Sequence, residues 1–183
     1  VDHYNHVMSR LSLLTTNSHC TVLLCLGPND LLMDPVYPPC PSLSFPTLPP
    51  RVHLIDYSNI VSVSNLKLLL SPVDVLMHMS GEEVSQNSAS SNTDRLTRLF
   101  EHLLEQRNPY PLYPPHATVP TDYQSAPHNL NTIPDVIITP SVLKAGVHVA
   151  SNGSILVNPG KSTIVIVEVN PGGTPATSVS VHC

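Results

Sequence analysis

Ten histidines in 183 residues invite a metal-centre reading: His3, His6, His19, His53, His78, His102, His116, His128, His148 and His182. Metal chemistry needs imidazoles spaced so that one element turns them toward one point, as two histidines four residues apart share a helix face. No HExxH is present, and no pair stands at ligand spacing within one element. His3 and His6 lie near the start of the chain. His102 falls between the apolar positions of an amphipathic stretch and reads as a rim residue. Taken singly, each histidine reads more simply as a packed or solvated side chain than as a ligand. The nucleophile elbow GxSxG and the glycine-rich phosphate and dinucleotide loops are absent too. Asn158-Pro159-Gly160-Lys161-Ser162 resembles a phosphate loop superficially but lacks its first glycine. Cys20, Cys25, Cys40 and Cys183 form no CxxC pair, so they read as reduced thiols and not as zinc ligands or a disulfide framework.

One ordered set remains. Leu26-Gly27-Pro28-Asn29-Asp30 follows the apolar run from Thr21 to Leu26. His78 follows the apolar run Val73 to Met77. Then come Asp135 to Leu143 and Val157-Asn158-Pro159-Gly160. The elements that must position this set are those of an α/β chain. Val7, Leu11 and Leu14 have helical spacing, which predicts the end of a helix over residues 5–14, with Thr15 to Ser18 a polar turn. Thr21 to Leu26 is a continuous β-compatible run, the mark of a strand buried on both faces. In open α/β sheets ligands bind outside the C-terminal ends of strands, which draws attention to Gly27 to Asp30. Asp34 to Pro50 holds seven prolines and reads as an extended surface loop. Val52 to Ile55, Ile60 to Val63, Asp135 to Thr139, Gly153 to Val157, Thr163 to Val169 and Thr177 to Val181 read as strands, with Gly172-Gly173 turning between the last two. Ser85 to Asn92 reads as a polar loop. Leu96, Leu99, Phe100, Leu103 and Leu104 fall at i, i+3, i+4, i+7 and i+8, which predicts a helix capped by Thr93 or Asp94 and ended by Asn108-Pro109.

The ordered set resembles the second half of a calcineurin-like metallophosphoesterase. In that superfamily a Gly-Asn-His-Asp/Glu loop, a histidine after a strand and a Gly-His-x-His motif hold two metal ions, which clamp both oxygens in phosphoester displacement. Here Gly27 and Asp30 fit the ends of the first motif, but Pro28 stands at the asparagine and Asn29 at the histidine. His78 stands at the middle histidine. Pro140-Ser141-Val142-Leu143, with no imidazole, occupies the last. The resemblance therefore implies degenerate positions at Pro28, Asn29, Asp30, His78 and Ser141, with no catalytic residue, metal or other cofactor.

A degenerate site of this kind is similar to the B-subunit family of DNA polymerase alpha. The likeness is carried by Asp34 to Pro38, by His78 to Ser85, by Asp94-Arg95, by Gln106-Arg107 and by Tyr110-Pro111-Leu112-Tyr113-Pro114-Pro115. It continues through Asp122-Tyr123, Pro134 to Ser141 and Val157 to Gly160. It spans about residues 20–160 and fades beyond Lys161. It implies a partial phosphoesterase-like sandwich of layered sheets flanked by helices, over residues 1–160, with its first half outside the chain and a divergent tail over 161–183. Starting at Val1 instead of Met, the chain reads as processed or as a fragment. The family implies an accessory subunit in the nucleus. It would bind the C-terminal domain of the polymerase catalytic subunit, reach primase indirectly and meet DNA through the complex. The alternative is an active metal-dependent phosphoesterase or 3′–5′ nuclease of the same superfamily.

The residues themselves agree with a scaffold on two points: no catalytic site assembles from them, and proline-stiffened surface segments suit contacts. Charged residues are 11%, against roughly 25% in typical domains. The formal net charge is −5, and the eight Lys and Arg are scattered, so direct DNA binding by this piece is not indicated. At 41% hydrophobic the chain can build a core, and no apolar run nears the ~20 residues of a membrane helix. A soluble α/β protein is expected. Extended proline segments bind grooves at low entropic cost, which makes Tyr110, Leu112 and Tyr113 the candidate interaction segment; the simpler reading is a loop packed across the domain.

Overall fold

The apolar runs Val136-Ile137-Ile138 and Ile155-Leu156-Val157 lie in the middle of the main sheet. The structure, a computed structural model, describes residues 2–18, 20–27, 30–31, 47–55, 60–63, 65–84, 94–119, 130–160, 164–168 and 178–182. Pro28 and Asn29 lie outside the described residues. So do most of the proline-dense loop, Asp56 to Asn59, Ser85 to Thr93, Asp122-Tyr123, Lys161-Ser162 and Gly172-Gly173.

The elements run α1 (Asp2–Ser18), β1 (Val22–Leu24), β2 (Val52–Leu54), β3 (Ile60–Val63), β4 (Leu66–Leu70), α2 (Val75–Glu82), α3 (Arg95–Glu105), β5 (Val136–Ile138), β6 (Gly146–Val149), β7 (Ile155–Asn158), β8 (Ile164–Glu168) and β9 (Ser178–His182). This is an α/β fold. Five strands form one sheet in the order β3-β4-β5-β7-β6. The three inner strands are mutually parallel, and β3 and β6 are antiparallel edges. Side chains alternate across it with period two. Leu69, Ile137 and Leu156 point to the face covered by α2 and α3, where they meet Val75, Leu76, Leu99, Phe100 and Leu103. Leu66, Val136, Ile155 and Val157 point to the other face, against which Val165 and Val167 of β8 pack. β8 and β9 pair as an antiparallel hairpin. Burial on both faces is why Val136-Ile137-Ile138 and Ile155-Leu156-Val157 are unbroken apolar runs.

β1 and β2 form a separate two-stranded parallel sheet, beside which α1 packs. β1 is a strand, as expected, but it is shorter than Thr21 to Leu26. It is half-buried and not enclosed on both faces. α1 does not stop at Leu14. It continues to Ser18, and the hydroxyls of Thr15, Thr16 and Ser18 donate back to the carbonyls of Leu11, Ser12 and Leu14, at 3.0, 2.8 and 2.5 Å.

The run Val73 to Met77 is not a strand leading to His78. Asp74 turns it into a helix by accepting from the Met77 N–H at 3.0 Å, so His78 lies inside α2. The strand of this region is β4. Its Leu and Lys residues are good helix formers, and pairing with β3 and β5 overrides that preference. β6 is likewise a strand the sequence pattern does not mark. α3 buries the stripe expected of it, with Leu99, Phe100, Leu103 and Leu104 inside. It ends at Glu105, before Asn108; Gln106 is its cap, and Arg107 just beyond takes a left-handed φ of 48°. Glu83, at the end of α2, binds Arg98 at 3.1 Å and Arg95 at 3.3 Å, and so ties α2 to α3.

Asn158, at the end of β7, is fully buried and uses all of its amide's bonding capacity. Its Oδ1 accepts from the N–H groups of Ser141 and Gly160, both at 2.9 Å. Its Nδ2 donates to the carbonyls of Leu143 and Lys144, both at 3.1 Å. Asparagine here braces the loop between β5 and β6. Asn158→Ala is expected to lower stability by about 1–3 kcal/mol for each buried partner that water does not reach. A shift of the urea midpoint checks this; an unchanged midpoint would mean that the loop has another support.

Candidate functional site

Past the C-terminal ends of β1 and β4 the chain forms a cavity of about 400 Å³. It is lined by Gly27, Asp30, Pro72, Val73, Asp74, His78, Thr118 and Val119. Three segments supply its walls. The first is the turn after β1, closed by the Asp30 N–H donating to the Gly27 carbonyl at 3.0 Å. The second is the start of α2, which carries Asp74 and His78. The third is the strap 110–119, which crosses back over α2 after α3 ends.

Tyr110 anchors that strap. Its ring is buried, and its phenolic oxygen accepts from the His116 N–H at 3.1 Å. The same hydroxyl lies 3.1 Å from His78 Nδ1, to which it can give its proton. The Thr118 N–H donates to His116 Nδ1 at 3.3 Å, so that nitrogen carries a lone pair. The Thr118 hydroxyl lies 2.8 Å from the same atom and 3.4 Å from His78 Nε2. The two imidazoles stack at 4.1 Å with 8° between planes. These contacts suit a neutral His78 protonated on Nε2; the tautomer is assigned from its partners. Burial pushes the His78 pKa below its ordinary 6.5, His116 lowers it further, and Asp74 opposes them. Burial raises the Tyr110 phenol, against the bond from the His116 main chain.

The carboxylates of the cavity are engaged. Asp30 accepts from the Tyr4 hydroxyl of α1; burial and this carboxylate together push the Tyr4 phenol up to about 12. Asp74 uses one oxygen to cap α2 and the other to accept from the Val142 N–H at 2.8 Å. Among the described residues, no three His, Cys, Asp or Glu side chains converge where they could hold a metal ion.

The structure brings Asp30 and His78 to one cavity. Ser141 is not in its lining. It is buried, with its N–H on Asn158 and its Oγ accepting from the Leu143 N–H at 3.1 Å. The strap divides its three singled-out residues: Tyr110 is in the core, Leu112 is partly packed against it, and Tyr113 is 84% exposed. Asp74, His116 and Thr118 were not marked by sequence motifs. Asp74 is a helix-capping residue type before an apolar run, which is a usable signal. His116 is 38 positions from His78, and only the tertiary fold stacks them.

The neutral His78 has a stability consequence. In the unfolded chain it takes a proton as pH falls through about 6.5, while in the folded chain its lowered pKa resists. The unfolded state then binds more protons, so stability falls with pH from about 6.5 down to the lowered folded value. His78→Gln should flatten this slope just below pH ~6.5 in urea titrations. An unchanged slope would remove His78 as its source.

The family of DNA polymerase alpha/epsilon B subunits matches residues 4–147. The chain is 36% identical over 140 residues to the B subunit of DNA polymerase alpha from Rattus norvegicus, covering 73% of this chain and 23% of that protein. To the Bos taurus protein of the same name it is 35% identical over 146 residues, covering 77% and 24%. To that of Schizosaccharomyces pombe it is 29% identical over 165 residues, covering 84% and 28%. The chain thus spans about a quarter of the length of the curated relatives it matches. With the match running from α1 into β6, through the cavity and its strap, the chain belongs to the B-subunit family of DNA polymerases alpha and epsilon.

Proposed function

We propose that this chain is the part of a polymerase alpha accessory subunit that carries an inactive calcineurin-like phosphoesterase frame, and that it works as a scaffold in DNA replication, in the nucleus. The observation that supports this best is the use of the cavity's polar groups. Asp74 caps a helix and holds the Val142 N–H, and His78 is bonded to Tyr110 and stacked on His116. Groups committed to main-chain and ring contacts hold the strap in place and are poorly placed to turn over a phosphoester. Residues 1–160 would form the phosphoesterase-like part and 161–183 a divergent tail.

The partner is the C-terminal domain of the polymerase catalytic subunit. Primase is reached indirectly, and DNA through the assembled complex. Most of the partner surface would lie in the parts of the accessory protein outside this chain, with this part bracing them. Tyr113, beside Pro114-Pro115, is the exposed large apolar side chain of the strap and is placed to touch a partner. When the C-terminal domain of the catalytic subunit is immobilised, it should therefore retain the intact accessory protein and hold the 183-residue chain far more weakly, with Tyr113→Ala weaker still. Retention of the chain alone at full affinity would show the bracing role to be wrong.

The second reading is an active phosphoesterase or 3′–5′ nuclease, favoured by the presence of Asp30 and His78 in one cavity. Metal analysis of the intact accessory protein after manganese loading separates the two. The scaffold reading expects no stoichiometric ion and no phosphodiesterase turnover. Stoichiometric manganese that His78→Ala releases, together with turnover, would establish the enzyme.

A further inference from the structure

The sequence contains a single Asn-Gly pair, Asn152-Gly153, and the fold places it at the tip of the hairpin between β6 and β7. The strands pair up to Val149 opposite Ile155, and the Ala150 N–H donates to the Ser154 carbonyl at 2.9 Å. Ser151, Asn152 and Gly153 are all exposed. Gly153 sits at φ +87°, a left-handed position that favours glycine, and nothing lies within 4 Å of where a Cβ would be.

We propose that Asn152 is a site of spontaneous deamidation and isoaspartate formation in the folded protein. Three features of the turn place the reacting atoms. The Ser154 N–H donates to Asn152 Oδ1 at 3.0 Å, which curls the side chain back along its own main chain. The Gly153 nitrogen, next along the chain, then reaches the amide carbon by closing a five-membered ring. The Ser154 contact also aims a donor at the oxygen where negative charge develops as the carbon becomes tetrahedral. Glycine leaves the attacking nitrogen unhindered, and exposure admits hydroxide and water.

The reaction balances without an outside oxidant or enzyme. The Gly153 nitrogen gives its proton to hydroxide and forms a bond to Asn152 Cγ. The bond from Cγ to Nδ2 breaks, and Nδ2 takes a proton and leaves as ammonia. Water then opens the cyclic imide at either carbonyl, to give aspartate or isoaspartate. One bond stands in the way: the Gly153 N–H donates to the Ala150 carbonyl at 2.9 Å. It lies at an exposed hairpin tip, where local opening is least costly.

The product would act on the fold through α3. The neighbouring Ser151 N–H donates to Glu101 Oε1 at 3.3 Å, so the new carboxylate forms one residue from an existing one. Like charges repel, and isoaspartate adds a methylene to the main chain of the turn. Both effects loosen β6 from α3.

The test is to age the purified chain at neutral and mildly alkaline pH, natively and in urea, and to map peptides by mass spectrometry with enzymatic isoaspartate labelling. The expected result is a gain of about 1 Da concentrated at Asn152 in the native protein, faster at the higher pH, with one more negative charge on isoelectric focusing. Asn152→Gln should abolish it and Gly153→Ala should slow it several-fold. The proposal is overturned if Asn152 converts only in urea, or if native conversion is spread evenly over the other asparagines.

Discussion

Three parallel strands with apolar side chains on both faces can exist in water only if both faces are covered. β4, β5 and β7 impose that constraint on the whole molecule. One face takes α2 and α3, and the other takes β8. The loops at the strand ends are therefore held at fixed places, and the cavity past β4 is a consequence of that arrangement. Where a helix must start right after a buried strand, its first N–H groups need acceptors, and Asp74 supplies one. Where the loop after β5 must turn back beside β7, its main-chain groups need partners within the core, and Asn158 supplies four bonds.

The same logic explains the chemistry of the cavity. Polar groups brought into a partly buried place are costly unless bonded. Here Asp74, His78, Tyr110, His116 and Thr118 bond mainly to one another and to main chain. The strap 110–119 is held by this network and not by regular secondary structure. Its aromatic anchor faces inward and its second tyrosine outward.

Much of the architecture was legible along the chain, and the places where it was not have physical causes. The stripe of Leu99, Phe100, Leu103 and Leu104 defines α3 because a helix with one apolar face needs nothing beyond its own periodicity to be recognised. The inner strands β5 and β7 are visible as unbroken apolar runs. β4 is hidden because Leu66 to Leu70 suits either a helix or a strand, and only its neighbours choose. The tail of α1 is hidden because Thr15 to Ser18 is turn-like in composition, yet its hydroxyls find acceptors one helical turn back.

The sequence by itself determined the family. Motifs such as Tyr110 to Pro115 are ordered strings, and order along a chain survives without coordinates; the family match over residues 4–147 rests on the same information. It also determined which residue types stand at Asp30, His78 and Ser141. What those residues do was decided only by the tertiary structure. His78 lies inside a helix because Asp74 caps it, it stacks on a histidine 38 positions away, and Ser141 is turned from the cavity toward Asn158. These relations join residues distant in sequence, and no local pattern encodes a contact that exists only after the sheet has brought its ends together.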